Sequence, residues 1–95
     1  LAATVGVLTV EIRNEDSHSL KEKRHVVKSL IERLKSKFNV AVAEIDGQDT
    51  WQWSVVAAAT VSASRSHCEQ MLRSVEEECA AQLGGYLVRA DIDLF

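Results

Sequence analysis

The chain has 95 residues, of which 46% are hydrophobic and 26% charged, and its formal net charge is -3. That length supports one core, so a single domain over residues 1–95 is expected. With no Pro and four Gly the chain is neither collagen-like nor a Pro/Gly-rich disordered segment, and no apolar run reaches the ~18 residues of a transmembrane helix.

The sequence opens on Leu1 rather than Met, as a trimmed chain would. The run from Leu1 to Leu8 has no basic region before it, so no targeting segment is expected. Gly6, Leu8, Val10 and Ile12 alternate with Val5, Val7, Thr9, Glu11 and Arg13. Period two and β-branched content predict a strand, with the non-polar even positions toward the core and the odd positions outward. Ser19-Leu20-Lys21-Glu22 is a capping box: the Ser19 hydroxyl accepts the Glu22 N–H, and the Glu22 carboxylate accepts the Ser19 N–H. A helix ending near Phe38 follows, with Leu20, Val27, Leu30, Ile31, Leu34 and Phe38 as its apolar stripe.

Val40 to Asp46 reads as a short strand, Gly47 to Asp49 as a turn, and Trp51 to Ala63 as a longer strand, which together make a hairpin. Ser66-x-x-Glu69 is a second capping box, opening a helix that carries Cys68, Leu72, Val75, Cys79 and Leu83 inward. Gly84-Gly85 is expected to terminate it in the αL conformation. Tyr86, Val88, Ala90, Ile92 and Leu94 then alternate with Arg89, Asp91 and Asp93 as a last strand.

The order strand, helix, strand, strand, helix, strand predicts an α+β, ferredoxin-like βαββαβ sandwich. Right-handed crossovers place two helices on one face of a four-stranded antiparallel sheet. The other face stays uncovered. Its expected residues are Val5, Val7, Thr9, Glu11 and Arg13 from the first strand, and Ser54, Val56, Ala58, Thr60 and Ser62 from the third. A flat, partly apolar face of this kind marks an association surface, although scattered surface apolars need no explanation. The simplest association is a homodimer with Val5, Val7, Thr9, Val56 and Ala58 at the interface.

Charge is unevenly spread. Between Leu20 and Phe38 seven Lys/Arg face two Glu, a net +5, while the rest of the chain carries -8. At about 100° per residue, Lys21, Arg24, Lys28 and Lys35 lie within about 60° of one another, with His25 beside them. Such a stripe can engage phosphates. It also suits a solvated helix face with partners such as Lys28 and Glu32, and counting alone favours that reading. Lys21, Lys23 and Arg24 sit at the positive end of the helix, a local cost that points to a non-structural reason for them.

Several chemistries lack their residues. The loop after the first strand, Arg13-Asn14-Glu15-Asp16-Ser17-His18, is acidic and has no Gly, unlike the phosphate loop of an acylphosphatase. It has no CxxC for metal transport. The first strand has no aromatics for base stacking, and Trp51 and Trp53, on the side of Val55 and Ala57, read as core or edge packing. Asp91 and Asp93 share a strand face, with Glu11 expected across from them and Arg13 and Arg89 as counter-ions, so a salt-bridged face is favoured over a cation site. Glu44, Asp46 and Asp49 read as a solvated acidic turn. Cys68 and Cys79 are eleven positions apart on one helix face, ~16 Å along the axis, beyond the ~7 Å a disulfide allows. They read as two reduced core thiols, which fits a cytoplasm. No His is paired in sequence with a nucleophile, so no catalytic constellation, metal or cofactor is expected.

The segment Ser19-Leu20-Lys21-Glu22-Lys23-Arg24-His25-Val26-Val27-Lys28-Ser29-Leu30 resembles the signature SLKEKR-x-V-x-K-x-L of the YlxP-like family. Asn39 to Asp46, then Gln48-Asp49-x-Trp51-Gln52, resembles its second signature. The family is small, bacterial and largely uncharacterised. The resemblance implies a ferredoxin-like fold and no catalytic residues. Its genes lie among those for transcription elongation, translation initiation and ribosome maturation, which implies a place near the small ribosomal subunit. A non-enzymatic accessory factor is therefore expected. It would touch ribosomal RNA or a small-subunit protein through Lys21, Lys23, Arg24, Lys28 and Lys35. The alternative is a homo-oligomeric module that binds a protein or small ligand on the open sheet face.

Overall fold

A computed structural model describes residues 2–95, so Leu1, on which the trimmed-chain reading rests, lies outside the described residues. The elements are β1 (Thr4–Arg13), α1 (Leu20–Lys37), β2 (Ala41–Asp46), β3 (Trp53–Ser62), α2 (Arg65–Leu83), a 3-10 turn (Gly84–Tyr86) and β4 (Leu87–Leu94). The strands form one antiparallel sheet in the order β2-β3-β1-β4. This is the expected ferredoxin-like βαββαβ arrangement.

The even positions of β1 determine where the core lies. Leu8, Val10 and Ile12 are buried against Val27, Leu30 and Leu34 of α1 and Leu72, Val75, Cys79 and Leu83 of α2. Each such aliphatic side chain contributes about 1.5–3 kcal/mol on burial. Cross-strand partners share a face, and Leu8 pairs with Ala58, Val10 with Val56 and Ile12 with Ser54.

That register corrects the expected phase of β3. Ser54, Val56, Ala58 and Thr60 face the helices and are buried. Trp53, Val55, Ala57, Ala59 and Val61 are their alternates, so they lie on the open face with the odd positions of β1. The sequence of β3 is apolar on both sides, and only pairing with β1 decides which side turns inward. The inward polar groups are satisfied: Ser54 Oγ donates to Glu44 Oε2 at 2.6 Å, and Thr60 Oγ1 donates to the Asn39 carbonyl at 3.1 Å.

Three local expectations also change. The Ser19 hydroxyl accepts the Glu22 N–H at 3.1 Å as expected, but the Glu22 carboxylate accepts the His18 N–H at 2.8 Å rather than that of Ser19. Ser64, not Ser66, caps α2, accepting the His67 N–H at 3.2 Å. β3 ends at Ser62, so Ser64 still has the extended backbone an N-cap needs, whereas Ser66 is already inside the helix. In β4 the register shifts between Glu11 and Ile12, which pair with Arg89 and Leu87. Val88 is the extra residue of the bulge and turns outward, while Leu87 packs on the core. Gly84 ends α2 where the Gly-Gly pair predicts, but at φ 56° and ψ -128° rather than in the expected αL conformation, a backbone region open to glycine.

Candidate functional site

Two surfaces stand out, one on each side of the sheet. The first is the face without helices. In cross-strand rows it carries Val61 beside Val5, then Ala41, Ala59 and Val7, then Ala43, Ala57 and Thr9, then Val55 beside Glu11. Small and branched apolar side chains make this a flat surface. Val5 and Val61 are exposed, Val61 at 64%. Toward β4 the face becomes charged: Asp93 lies opposite Val7, Asp91 opposite Thr9 and Arg89 opposite Glu11. Glu11 therefore faces Arg89, not the two aspartates. Arg89 Nε donates to Asp91 at 2.8 Å and Arg13 to Glu11 at 3.4 Å, the salt-bridged surface expected there. Trp53 Nε1 donates to Glu11 Oε2 at 2.6 Å, so its ring covers the open face at the end of β3. Trp51 precedes β3 and is exposed. Of the expected interface residues, Val5, Val7 and Thr9 lie on this face. Val56 and Ala58 do not; both are buried in the core.

The second surface is the outward side of α1. The seven basic residues of this helix divide into three groups. Lys23 is 3% exposed, and its ammonium donates to Glu44 Oε2 at 2.6 Å and to the Gly47 carbonyl at 2.7 Å. It therefore leaves the expected phosphate-binding set. The sequence carried a signal for this: Lys23, Val27, Leu30 and Leu34 follow the four- and three-residue spacing of a buried helix face. Glu44 is likewise in phase with inward-facing Val42, so it belongs to this ion pair and not to a solvated acidic turn.

Arg33 and Lys37 reach across to Glu78 of α2, with Arg33 Nε at 3.6 Å. The hydrogen bond from Lys37 holds the Glu78 carboxyl below the usual carboxylate range. Lys21, Arg24, Lys28 and Lys35 remain on the outside of the helix and are exposed. Lys28 stands 4.0 Å from Glu32, both exposed, which holds it weakly. Among the described residues, no carboxylate lies within 4.0 Å of the side-chain nitrogens of Lys21, Arg24 or Lys35. Arg24, Lys28 and Lys35 rim a groove of about 440 Å³ with Val27 and Ile31 as its apolar wall and Glu44 at its edge.

Lys21 also borders a second hollow, of about 460 Å³, between the start of α1 and Tyr86. The Tyr86 hydroxyl donates to Asp16 Oδ2 at 3.2 Å, and this bond raises the phenol above its ordinary value. Cys68 and Cys79 are free and buried, and burial pushes the Cys79 thiol up to about 11. Among the described residues, no group of three or more His, Cys, Asp or Glu is placed to hold a metal ion, and no helix is long and apolar enough to cross a membrane.

A family described as a protein of unknown function, DUF503, matches residues 5–92. The uncharacterized protein YlxP of Bacillus subtilis (strain 168) is 44% identical over 71 residues, covering 75% of this chain and 77% of that protein. Both agree with the resemblance carried by the Ser19–Leu30 segment. A dimeric protein of unknown function and ferredoxin-like fold from Bacteroides fragilis NCTC 9343 superposes with a TM-score of 0.61 at 13% identity, over 97% of this chain and 94% of that one. A dimeric ferredoxin-like protein of unknown function from Thermobifida fusca YX gives a TM-score of 0.58 at 10% identity, over 99% and 91%. At these identities the likeness speaks for the fold alone.

Proposed function

We propose that this chain, which belongs to the DUF503 family, is a non-enzymatic accessory module that pairs with a second copy across its open sheet face. In this reading each copy holds RNA phosphates along the outward side of α1. The observation that carries the proposal is that the two surfaces lie on opposite sides of the sheet. Burying the apolar face in a dimer leaves both basic stripes pointing into solvent.

The dimer reading is supported by the composition of β3. This strand turns its more apolar set, Trp53, Val55, Ala57, Ala59 and Val61, away from the core. An uncovered apolar sheet face is costly in water, and a self-complementary two-fold contact removes it. Two of the ferredoxin-like proteins that superpose on this chain are themselves dimeric. The RNA reading is supported by Lys21, Arg24 and Lys35, which among the described residues hold no ion pair, while the chain as a whole is acidic. A polyanion is the partner that four exposed cations on one helix would attract. Ribosomal RNA of the small subunit is the target we favour, with a small-subunit protein second. Two buried, unpaired thiols suit a reducing cytoplasm.

The test is co-sedimentation with purified ribosomal subunits across a salt series, with sedimentation velocity on the free protein. Four phosphate contacts predict that log K falls with log salt at a slope of roughly -3. Reversing Lys21, Arg24 and Lys28 to Glu should abolish binding and leave the fold and the dimer intact. Absence of binding at low salt, or binding that the reversed variant retains, removes α1 from the function.

A further inference from the structure

The hollow beside Tyr86 adjoins the basic stripe through a single residue, Lys21, which belongs to both. Its apolar lining comes from Val26 and Tyr86, and its rim carries Asn14, Asp16 and His25. Its volume, about 460 Å³, lies in the range of small-ligand sites. Lys21 and His25 are one helical turn apart and exposed, so both offer N–H groups at the mouth. Glu22 also lines the hollow, with its Oε2 accepting the His18 N–H at 2.8 Å. Asp16 Oδ2 accepts the Tyr86 hydroxyl at 3.2 Å, while among the described residues no donor lies on Oδ1.

We infer that this hollow takes one guanine base of a single-stranded RNA, set against Tyr86, with Lys21 on its phosphate. The inference rests on the RNA reading of α1 and names the kind of RNA that reading requires. An aromatic ring beside an unpaired cation is how single strands are held, the ring on the base and the cation on the backbone. Asp16 then selects the base. A carboxylate offers acceptors only, so it matches an edge with two adjacent donors. Guanine presents N1–H and N2–H side by side. Adenine, uracil and cytosine set an acceptor next to their donor, which would face the carboxylate. A duplex cannot present that edge, so the strand must be single.

The test uses two fluorescent eight-nucleotide RNAs, one all uridine and one with a single central guanosine, together with GMP alone. Fluorescence anisotropy should show the guanosine RNA binding about tenfold more tightly, the size expected for one bidentate contact to a base edge, since stacking on the ring is open to every base. Asp16→Asn and Tyr86→Leu should each erase that preference and leave the salt slope unchanged. Asp16 is on the surface, so its variant remains informative if Tyr86→Leu fails to fold. Equal binding of the two RNAs with a steep salt slope overturns the base site and leaves the phosphate stripe standing. Binding of neither RNA overturns both. A guanosine preference that survives in both variants overturns the assignment of the hollow, and GMP binding as tightly as the guanosine RNA overturns the strand in favour of a free nucleotide.

Discussion

The ammonium of Lys23 lies 2.6 Å from Glu44 Oε2, inside the protein, and ties the first turn of α1 to the β2–β3 hairpin. The pair is complete. Lys23 donates also to the Gly47 carbonyl at 2.7 Å, and Glu44 accepts from Ser54 as well. Among the described residues, no buried side-chain nitrogen or oxygen lacks a partner. Desolvating two charges is tolerable under that condition and costly without it.

Removing one member should therefore cost far more than a surface ion pair would. Glu44→Ala leaves a buried ammonium with carbonyl partners only, and a loss of about 3–5 kcal/mol is expected in urea unfolding. The double change Lys23→Met with Glu44→Leu should recover part of that loss, because no charge is then left alone. If Glu44→Ala costs less than ~1 kcal/mol, the pair behaves like an exposed one and Lys23 returns to the surface set.

Adjacent residues of β3 should respond in opposite ways to the same substitution. Val56 is 1% exposed in the core, so Val56→Lys should prevent stable folding, observed as loss of the cooperative unfolding transition. Ala57 lies on the open face, so Ala57→Lys should give a folded protein that sediments as a monomer. A folded Val56→Lys variant would place the strand in the opposite phase.

Gly6 occupies a core-facing position of β1 where a Cβ would stand 2.6 Å from Leu72 Cδ1 and 2.7 Å from Cys68 Sγ. The missing side chain is what lets α2 lie this close to the sheet. Gly6→Ala should cost about 1–3 kcal/mol through overpacking, and Leu72→Ala in the same chain should relieve the part of the clash that Leu72 makes, leaving that with Cys68 Sγ. Thermal unfolding of the four-member cycle reads the coupling, and purely additive losses would mean that the two sites do not touch.

The Cys79 thiol, pushed up to about 11 by burial, should resist alkylation at pH 8 in the folded protein and react once the chain is unfolded. Well below the ordinary thiol value of about 8.5 both states keep the proton, and pH has no effect through this group. Above that the unfolded thiol ionises first, so the stability it contributes is lost as pH rises toward the folded value. Urea unfolding at pH 8 and pH 10 should show a steeper decline for wild type than for Cys79→Ala. Equal declines, or rapid alkylation at pH 8, would place the thiol at the surface.

Much of the fold is written locally. The phase of β1 is set by Leu8, Val10 and Ile12 against charged Glu11 and Arg13, and no neighbour is needed to decide which side is wet. The Ser19 cap, the end of α2 at Gly84 and the shared face of Cys68 and Cys79 depend on residues within a few turns of one another. The cationic stripe of Lys21, Arg24, Lys28 and Lys35 follows from helical spacing alone.

Other features depend on partners distant in the chain. β3 is apolar on both sides, so its phase follows from pairing with Leu8 and Val10, more than forty residues earlier. Lys23 looks like one more member of a basic run until Glu44, in another element, meets it in the interior. Tyr86 and Asp16, seventy positions apart, form one side of a hollow only because the chain returns to the start of α1 after α2. Which residues repeat on one face can be read from the chain, because periodicity is a property of a single element. Which face is covered and which charge is neutralised follows only from the folded arrangement, because burial and pairing are properties of two elements in contact.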